Sequence, residues 1–161
     1  MFNKTDLKQV MRRWPSGVAV ITSSYKRNVH GMTVNSFTSV SVDPPMVTVT
    51  LANTTRTKDL VDRSGYFAIN LLSEGQNDIS DRFAGRIAED EDRFNGLAVK
   101  AGMESLPLLD AAAAHLECRV VHRYEMENST LYIGEVMRAA KAVDKLPLVY
   151  FNRDYRGIKN E

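Results

Sequence analysis

The stretch from His30 to Pro45 reads HGMTVNSFTSVSVDPP. Within it, Thr33, Asn35, Ser36, Thr38, Ser39 and Ser41 all carry short hydroxyl or amide side chains. With the backbone N–H groups between them, they form a dense row of hydrogen-bond donors. Gly31 allows a ligand to approach the main chain closely. Such a row suits a flat heterocycle with many carbonyl and ring-nitrogen acceptors. An edge strand with one polar face would show the same composition.

Other constellations exclude more than they suggest. The chain has no GxxxxGK[ST], GxGxxG, HExxH or GxSxG. That removes P-loop, dinucleotide-fold, zinc-protease and serine-hydrolase readings. His115 and His122 are separated by an odd number of residues, which sends them to opposite faces of one uninterrupted strand. Cys118 and His122 share a face but lack a third ligand, so no metal site is expected. Cys118 reads as a small core residue. The run Glu89-Asp90-Glu91-Asp92 reads as solvated surface, since adjacent carboxylates converge on a cation only where a loop is shaped for it. No nucleophile or acid–base pair stands out, and no catalytic side chain is assigned.

The elements that must hold the hydroxyl-rich stretch follow from periodicity. Leu7, Val10, Met11 and Trp14 form one face of a helix over residues 4–14, ended by Pro15-Ser16-Gly17. Gly17 to Tyr25 is a β-branched run and predicts a strand. Lys26-Arg27-Asn28 reads as a turn, with Val29 opening the next strand. Met46 to Leu51 alternates apolar residues with Thr and predicts a half-exposed strand. Thr57 to Arg63 and Gln76 to Phe83 read as short helices around a strand from Tyr66 to Leu72. Gly96 to Asp110 reads as irregular. Ala114 to Tyr124 and Thr130 to Ala139 predict two long strands flanking Glu125 to Ser129 as an antiparallel hairpin. Leu148 to Phe151 is a last short strand, followed by a tail. Six or seven strands with few helices predict a closed β-barrel with helices packed outside.

Composition narrows the class. The chain has 161 residues, 43% hydrophobic and 25% charged, which fits one globular domain over 1–161. Lys and Arg number 21 against 20 Asp and Glu. Neither the basic excess of a nucleic-acid binder nor a charge for membrane recruitment is present. One cysteine excludes an intramolecular disulfide. No run near the amino terminus resembles a signal peptide, and no stretch approaches the ~20 apolar residues of a membrane span. A cytoplasmic protein is expected, with neither nucleic acid nor membrane as partner.

HGMTVNSFTSVSVDPP resembles the signature of the short-chain NAD(P)H:flavin oxidoreductases, the reductase components of two-component flavin monooxygenases. GVAVIT, Asn53 to Thr57 (NTTRT), FAINLL, Asp81-Arg82-Phe83-Ala84-Gly85, Asp92-Arg93-Phe94, LPLLDAAAAHLEC, YIGEV and PLVYFNRDYRG follow in the family's order. The similarity runs over about residues 5–157.

The resemblance implies a mainly β fold with short helices, the FMN-binding split β-barrel with Greek-key topology, forming a homodimer. It implies hydride transfer from NADH or NADPH to FMN or FAD, and delivery of reduced flavin to a flavin-dependent monooxygenase. Thr33, Val34, Asn35 and Ser36 are then expected along the isoalloxazine and ribityl chain, with Phe37, Thr38, Ser39 and Ser41 continuing the contact. Asn53, Thr54, Thr55 and Thr57 are expected to hold the ribityl hydroxyls and phosphate, Thr57 at a helix start that suits an anion. Phe83 and Arg86 are expected near the flavin, with Arg86 on the phosphate. A surface ion pair with the Glu89–Asp92 run is the other reading of Arg86.

Glu127-Asn128-Ser129 stands where many members carry Gly-Asp-His, whose histidine is linked to nicotinamide-nucleotide binding. Asn128 and Ser129 are expected to hydrogen-bond the nucleotide there without a cation. Tyr150, Tyr155 and Arg156 match the family's C-terminal pattern near the same cleft, with ordinary packing as their other reading. Loss of the imidazole keeps a second function open: a flavin-binding electron carrier similar to the flavoredoxins, without direct NAD(P)H turnover.

Overall fold

The computed structural model describes residues 3–86, 92–141 and 144–158. Residues 89–91 of the acidic run therefore lie outside the described residues. In chain order the elements are α1 (Lys4–Met11), β1 (Ser16–Gly17), β2 (Ala19–Tyr25), β3 (Asn28–Val34), β4 (Thr38–Ser41) and β5 (Met46–Ala52). Then come α2 (Arg56–Ser64), β6 (Tyr66–Leu71), α3 (Asn77–Phe83), β7 (Val99–Ala101) and β8 (Pro107–Leu109). The long hairpin β9 (Ala114–Glu125) and β10 (Ser129–Lys141) follows, then β11 (Val149–Phe151) and β12 (Asp154–Arg156).

Seven strands form one antiparallel sheet in the order β3-β2-β6-β9-β10-β5-β4. Its two edges, β3 and β4, are neighbours in sequence, joined by residues 35–37. Laid flat, edges six strand spacings apart would stand about 29 Å from each other. The chain from Val34 to Thr38 reaches only about 14 Å. The sheet must therefore roll up until its edges approach. They do not pair with each other, so the barrel is split along this seam rather than closed, as strand counting had predicted.

The roll encloses Ile21, Val49, Leu51, Phe67, Ile69 and Tyr132. A second core, with Val18, Val20, Leu72, Phe83, Leu109 and Leu148, lies on the other face of β2. Because successive side chains on a strand point to opposite faces, β2 feeds both cores and is buried along most of its length.

Two segments read as irregular or tail are ordered as strands. Between Gly96 and Asp110, β7 and β8 pair as a short hairpin. It is pinned from afar: Asn70 Nδ2 donates to the Val20 carbonyl at 3.0 Å, and Asn70 Oδ1 accepts from the Leu109 N–H at 2.8 Å. After Phe151, Asn152 and Arg153 both have positive φ, +51° and +66°, the two-residue turn that matches strand twist. Neither is the glycine such turns favour, which hid β12. α1 forms where the apolar spacing predicts it, but Leu7, Val10, Met11 and Trp14 are all exposed. No helix is long and apolar enough to cross a membrane among the described residues.

Candidate active site

At the end of β3, Thr33 and Asn35 open into a cleft of about 160 Å³. Ser80 and Arg86 line it from α3 and the turn that follows, and Tyr150 and Tyr155 line it from β11 and β12. Val18 and Val34 give it apolar wall. Tyr150 and Tyr155 meet edge to face, with ring centroids 5.6 Å apart. This is a favoured aromatic geometry.

A hydrogen-bond network fixes these walls. The Thr33 hydroxyl donates to the Ser80 carbonyl at 2.7 Å. The Tyr155 hydroxyl reaches Ser80 Oγ at 2.9 Å and Asp81 Oδ1 at 2.7 Å. Arg86 Nη1 donates to the same Asp81 oxygen at 2.7 Å. Burial pushes the Tyr155 hydroxyl above its ordinary pKa. Its bond to Asp81 adds to that rise, and Ser80 opposes it. The phenol is thus a neutral donor, and Asp81 balances the charge of Arg86 at the cleft.

Ser80 and Asp81 were missed as site residues by sequence reasoning. Helical spacing brings residues 80, 81 and 84 toward one side of α3, and Asp81 also opens the motif Asp81-Arg82-Phe83-Ala84-Gly85.

The other predicted positions fall into several places. Residues 35–37 lie outside both the β3 and β4 ladders, so among the described residues their N–H groups are not used in either. Ser36 crosses the seam: its hydroxyl donates to the Thr50 carbonyl at 2.9 Å and accepts from the Thr50 N–H at 3.2 Å. It thereby replaces ladder bonds that β5 would otherwise lack. Phe37 packs against the inner core. Thr38 and Ser39 are exposed on β4, and the Ser41 hydroxyl bonds the Pro44 carbonyl.

Asn53 is engaged by the long hairpin. Its amide donates to the Met126 carbonyl at 2.8 Å, and its Oδ1 accepts from Thr130 at 2.7 Å. The Asn53 N–H bonds the Asn128 carbonyl at 3.1 Å. Asn53, exposed Thr54, Asn128 and Ser129 therefore share one corner. Tyr150 and Tyr155 line the cleft beside Thr33 and Asn35.

Two residues turn inward. Thr55, not Thr57, caps α2, accepting from the Lys58 N–H at 3.4 Å. Thr57 is fully buried, with its hydroxyl 2.8 Å from His30 Nδ1. Phe83 is also fully buried, edge-on to Phe94 at 5.1 Å. The close approach that Gly31 permits is to Phe83: a Cβ on Gly31 would lie 2.9 Å from its ring. Thr57 and Phe83 shape the body behind the cleft rather than its surface.

The described residues hold no cluster of metal-ligating side chains. His115 Nε2 bonds the Leu109 carbonyl at 2.8 Å in the interior. β9 is not the uninterrupted strand assumed above, since its pairing slips between Val120 and His122.

A family model described as the flavin reductase like domain matches residues 11–159. The chain belongs to the flavin reductase-like family. Its split, mainly β fold is that of the family's solved members. The flavin reductase-like chain is 36% identical over 165 residues to "NADH-dependent FMN reductase AsuE2" of Streptomyces nodosus subsp. asukaensis, covering 98% of this chain and 86% of that one. It is 31% identical to "4-hydroxyphenylacetate 3-monooxygenase, reductase component" of Thermus thermophilus, covering 96% and 97%. Among solved structures it is similar to "Streptomyces globisporus C-1027 NADH:FAD oxidoreductase SgcE6 in complex with NAD and FAD fragments", with a TM-score of 0.88 and 30% identity over 98% of this chain and 93% of that one.

Proposed function

We propose that this chain is a cytoplasmic, homodimeric flavin reductase that passes a hydride from NADH or NADPH to FMN or FAD and hands the reduced flavin to a flavin-dependent monooxygenase. The observation that carries this reading is the seam: residues 35–37, outside both ladders, open beside a cleft walled by Val18, Val34 and two tyrosines. A flavin suits that set, with acceptor-rich edges for N–H donors and a flat apolar face for the valines and rings.

When bound, the flavin supplies the redox chemistry. The protein's part is to bind and orient. Thr33, Val34 and Asn35 hold the ring, and Arg86, leaving Asp81, meets a phosphate. Tyr150 and Tyr155, braced against each other and by Ser80 and Asp81, position the nicotinamide at reacting distance and exclude water. In the same reading, Thr54 at the Asn53 corner serves the ribityl hydroxyls of the flavin, and Asn128 hydrogen-bonds the nicotinamide end of the nucleotide. The second copy covers exposed Val40, Val42 and Met137.

The test mixes purified protein anaerobically with FMN, FAD or riboflavin and with NADH or NADPH, and follows loss of visible flavin absorbance. Turnover with at least one pair is expected. A protein that binds flavin yet oxidises neither nucleotide would be an electron carrier instead.

A further inference from the structure

Beside the active-site cleft lies a second cavity of about 270 Å³, with Asn35 and Tyr150 as common wall. Lys8, Arg12 and Trp14 line it from α1 and the turn after it, and Arg153 lines it from the β11–β12 turn. Among the described residues, no Asp or Glu lines it. By contrast, Lys58, Arg86 and Arg119 each meet a carboxylate. Among the described residues, Lys8, Arg12 and Arg153 meet none. Arg12 Nε is buried and has no hydrogen-bond partner. Trp14 is 70% exposed.

The frame around these groups is fixed. The Asn152 N–H donates to the Arg12 carbonyl at 3.2 Å, tying the β11–β12 turn to the end of α1. Tyr150 is held against Tyr155. Three uncompensated cations beside an exposed indole recognise an aromatic base joined to phosphates. The base stacks on the ring, and guanidinium groups take the phosphate oxygens in pairs.

We infer that this cavity binds the adenosine diphosphate end of a dinucleotide whose other end occupies the active-site cleft. The inference rests on the flavin reductase reading above. NADH, NADPH and FAD all carry that end, whereas FMN does not.

Trp14 is the only tryptophan in the chain, so its emission reports on this cavity alone. Flavin-free, full-length protein is titrated with ADP while Trp14 fluorescence is followed. Saturable quenching is expected, weakening as salt is raised. The double variant Arg12→Ala/Arg153→Ala is expected to bind ADP about five-fold more weakly.

Kinetics then separate the sources. In this variant and in Trp14→Ala, a raised KM for NADH with FMN as acceptor, at unchanged kcat, assigns the cavity to the nicotinamide nucleotide. A raised KM for FAD with that for FMN unchanged assigns it to FAD. An ADP titration that leaves Trp14 emission unchanged, with neither KM moved, overturns the inference. So does blue-shifted emission that responds to protein dilution and not to ADP, which gives the face to a second copy of the chain. If the unaltered protein oxidises neither nucleotide with any flavin, the reductase reading fails, while the ADP titration still decides the cavity.

Discussion

Tyr155 and Arg86, from opposite sides of the cleft, converge on one atom: each hydrogen-bonds Asp81 Oδ1 at 2.7 Å. The carboxylate therefore both braces an aromatic wall and occupies the guanidinium proposed to meet a phosphate. Asp81→Asn keeps an acceptor for Tyr155 but removes the charge that competes for Arg86. KM for FMN relative to riboflavin is expected to fall about three-fold in Asp81→Asn, the modest scale of an exposed ion pair. Arg86→Ala is expected to move the ratio the other way. Identical ratios in all three proteins would remove Arg86 from the phosphate.

Thr57 invites a different test. Because its hydroxyl is buried against His30 Nδ1, Thr57→Ala is expected to destabilise the fold by about 1 kcal/mol, with Thr57→Ser retaining the bond. Flavin affinity, extrapolated to fully folded protein, is expected to stay constant. A large loss of affinity at unchanged melting temperature would put Thr57 in contact with ligand.

Acid stability is expected to depend on Asp62. Burial alone would raise this carboxyl. Hydrogen bonds from Lys58 and Tyr132, with the charges of Lys58 and Arg123, outweigh it and hold the pKa below its ordinary value. A folded pKa below the unfolded one means stability that is present above the unfolded value, about 3.9, and lost as pH falls through the folded one. Urea unfolding of Asp62→Asn at neutral pH and at about pH 3 is expected to show a smaller difference than in the parent. Equal differences would show that this carboxyl does not report on acid unfolding.

At Gly134 a Cβ would lie 2.6 Å from Phe67 Cζ, inside the rolled sheet. Gly134→Ala is expected to cost about 1–3 kcal/mol through overpacking, and Phe67→Leu in the same chain to recover part of that loss. Thermal melts of the two variants decide it. A Gly134→Ala melt matching the parent would mean that β10 shifts freely.

Cys118 is expected to resist alkylation until the protein unfolds. Burial, reinforced by the nearby charge of Glu117, pushes its thiol up to about 12, and only the thiolate reacts. Modification by iodoacetamide that tracks denaturant rather than time would bear this out, whereas prompt labelling of native protein would contradict it.

Much of this was legible along the chain. The hydroxyl-rich stretch marked the seam because most of its side chains are short and polar, and the long hairpin was legible as two strand-like segments, 114–124 and 130–139, on either side of Glu125 to Ser129. Ser80 and Asp81 stayed hidden because their partner, Tyr155, lies more than seventy residues away, and nothing local encodes that meeting. The strands β7 and β8 were invisible for the same reason: they are short, and Asn70 on a distant strand holds them. Thr57 misled because a threonine near a helix start looks alike whether it faces solvent or a histidine.

The seam at residues 35–37 also bears on how this protein tolerates change. Its donors belong to the main chain, so no exchange of side chain deletes them, except to proline, which removes the N–H itself. On the proposed reading, recognition of a flavin there follows the rolled topology rather than particular letters. Drift at these positions can retune preference among ligands while the capacity to bind persists, and a proline scan would reveal how many of these donors the ligand uses.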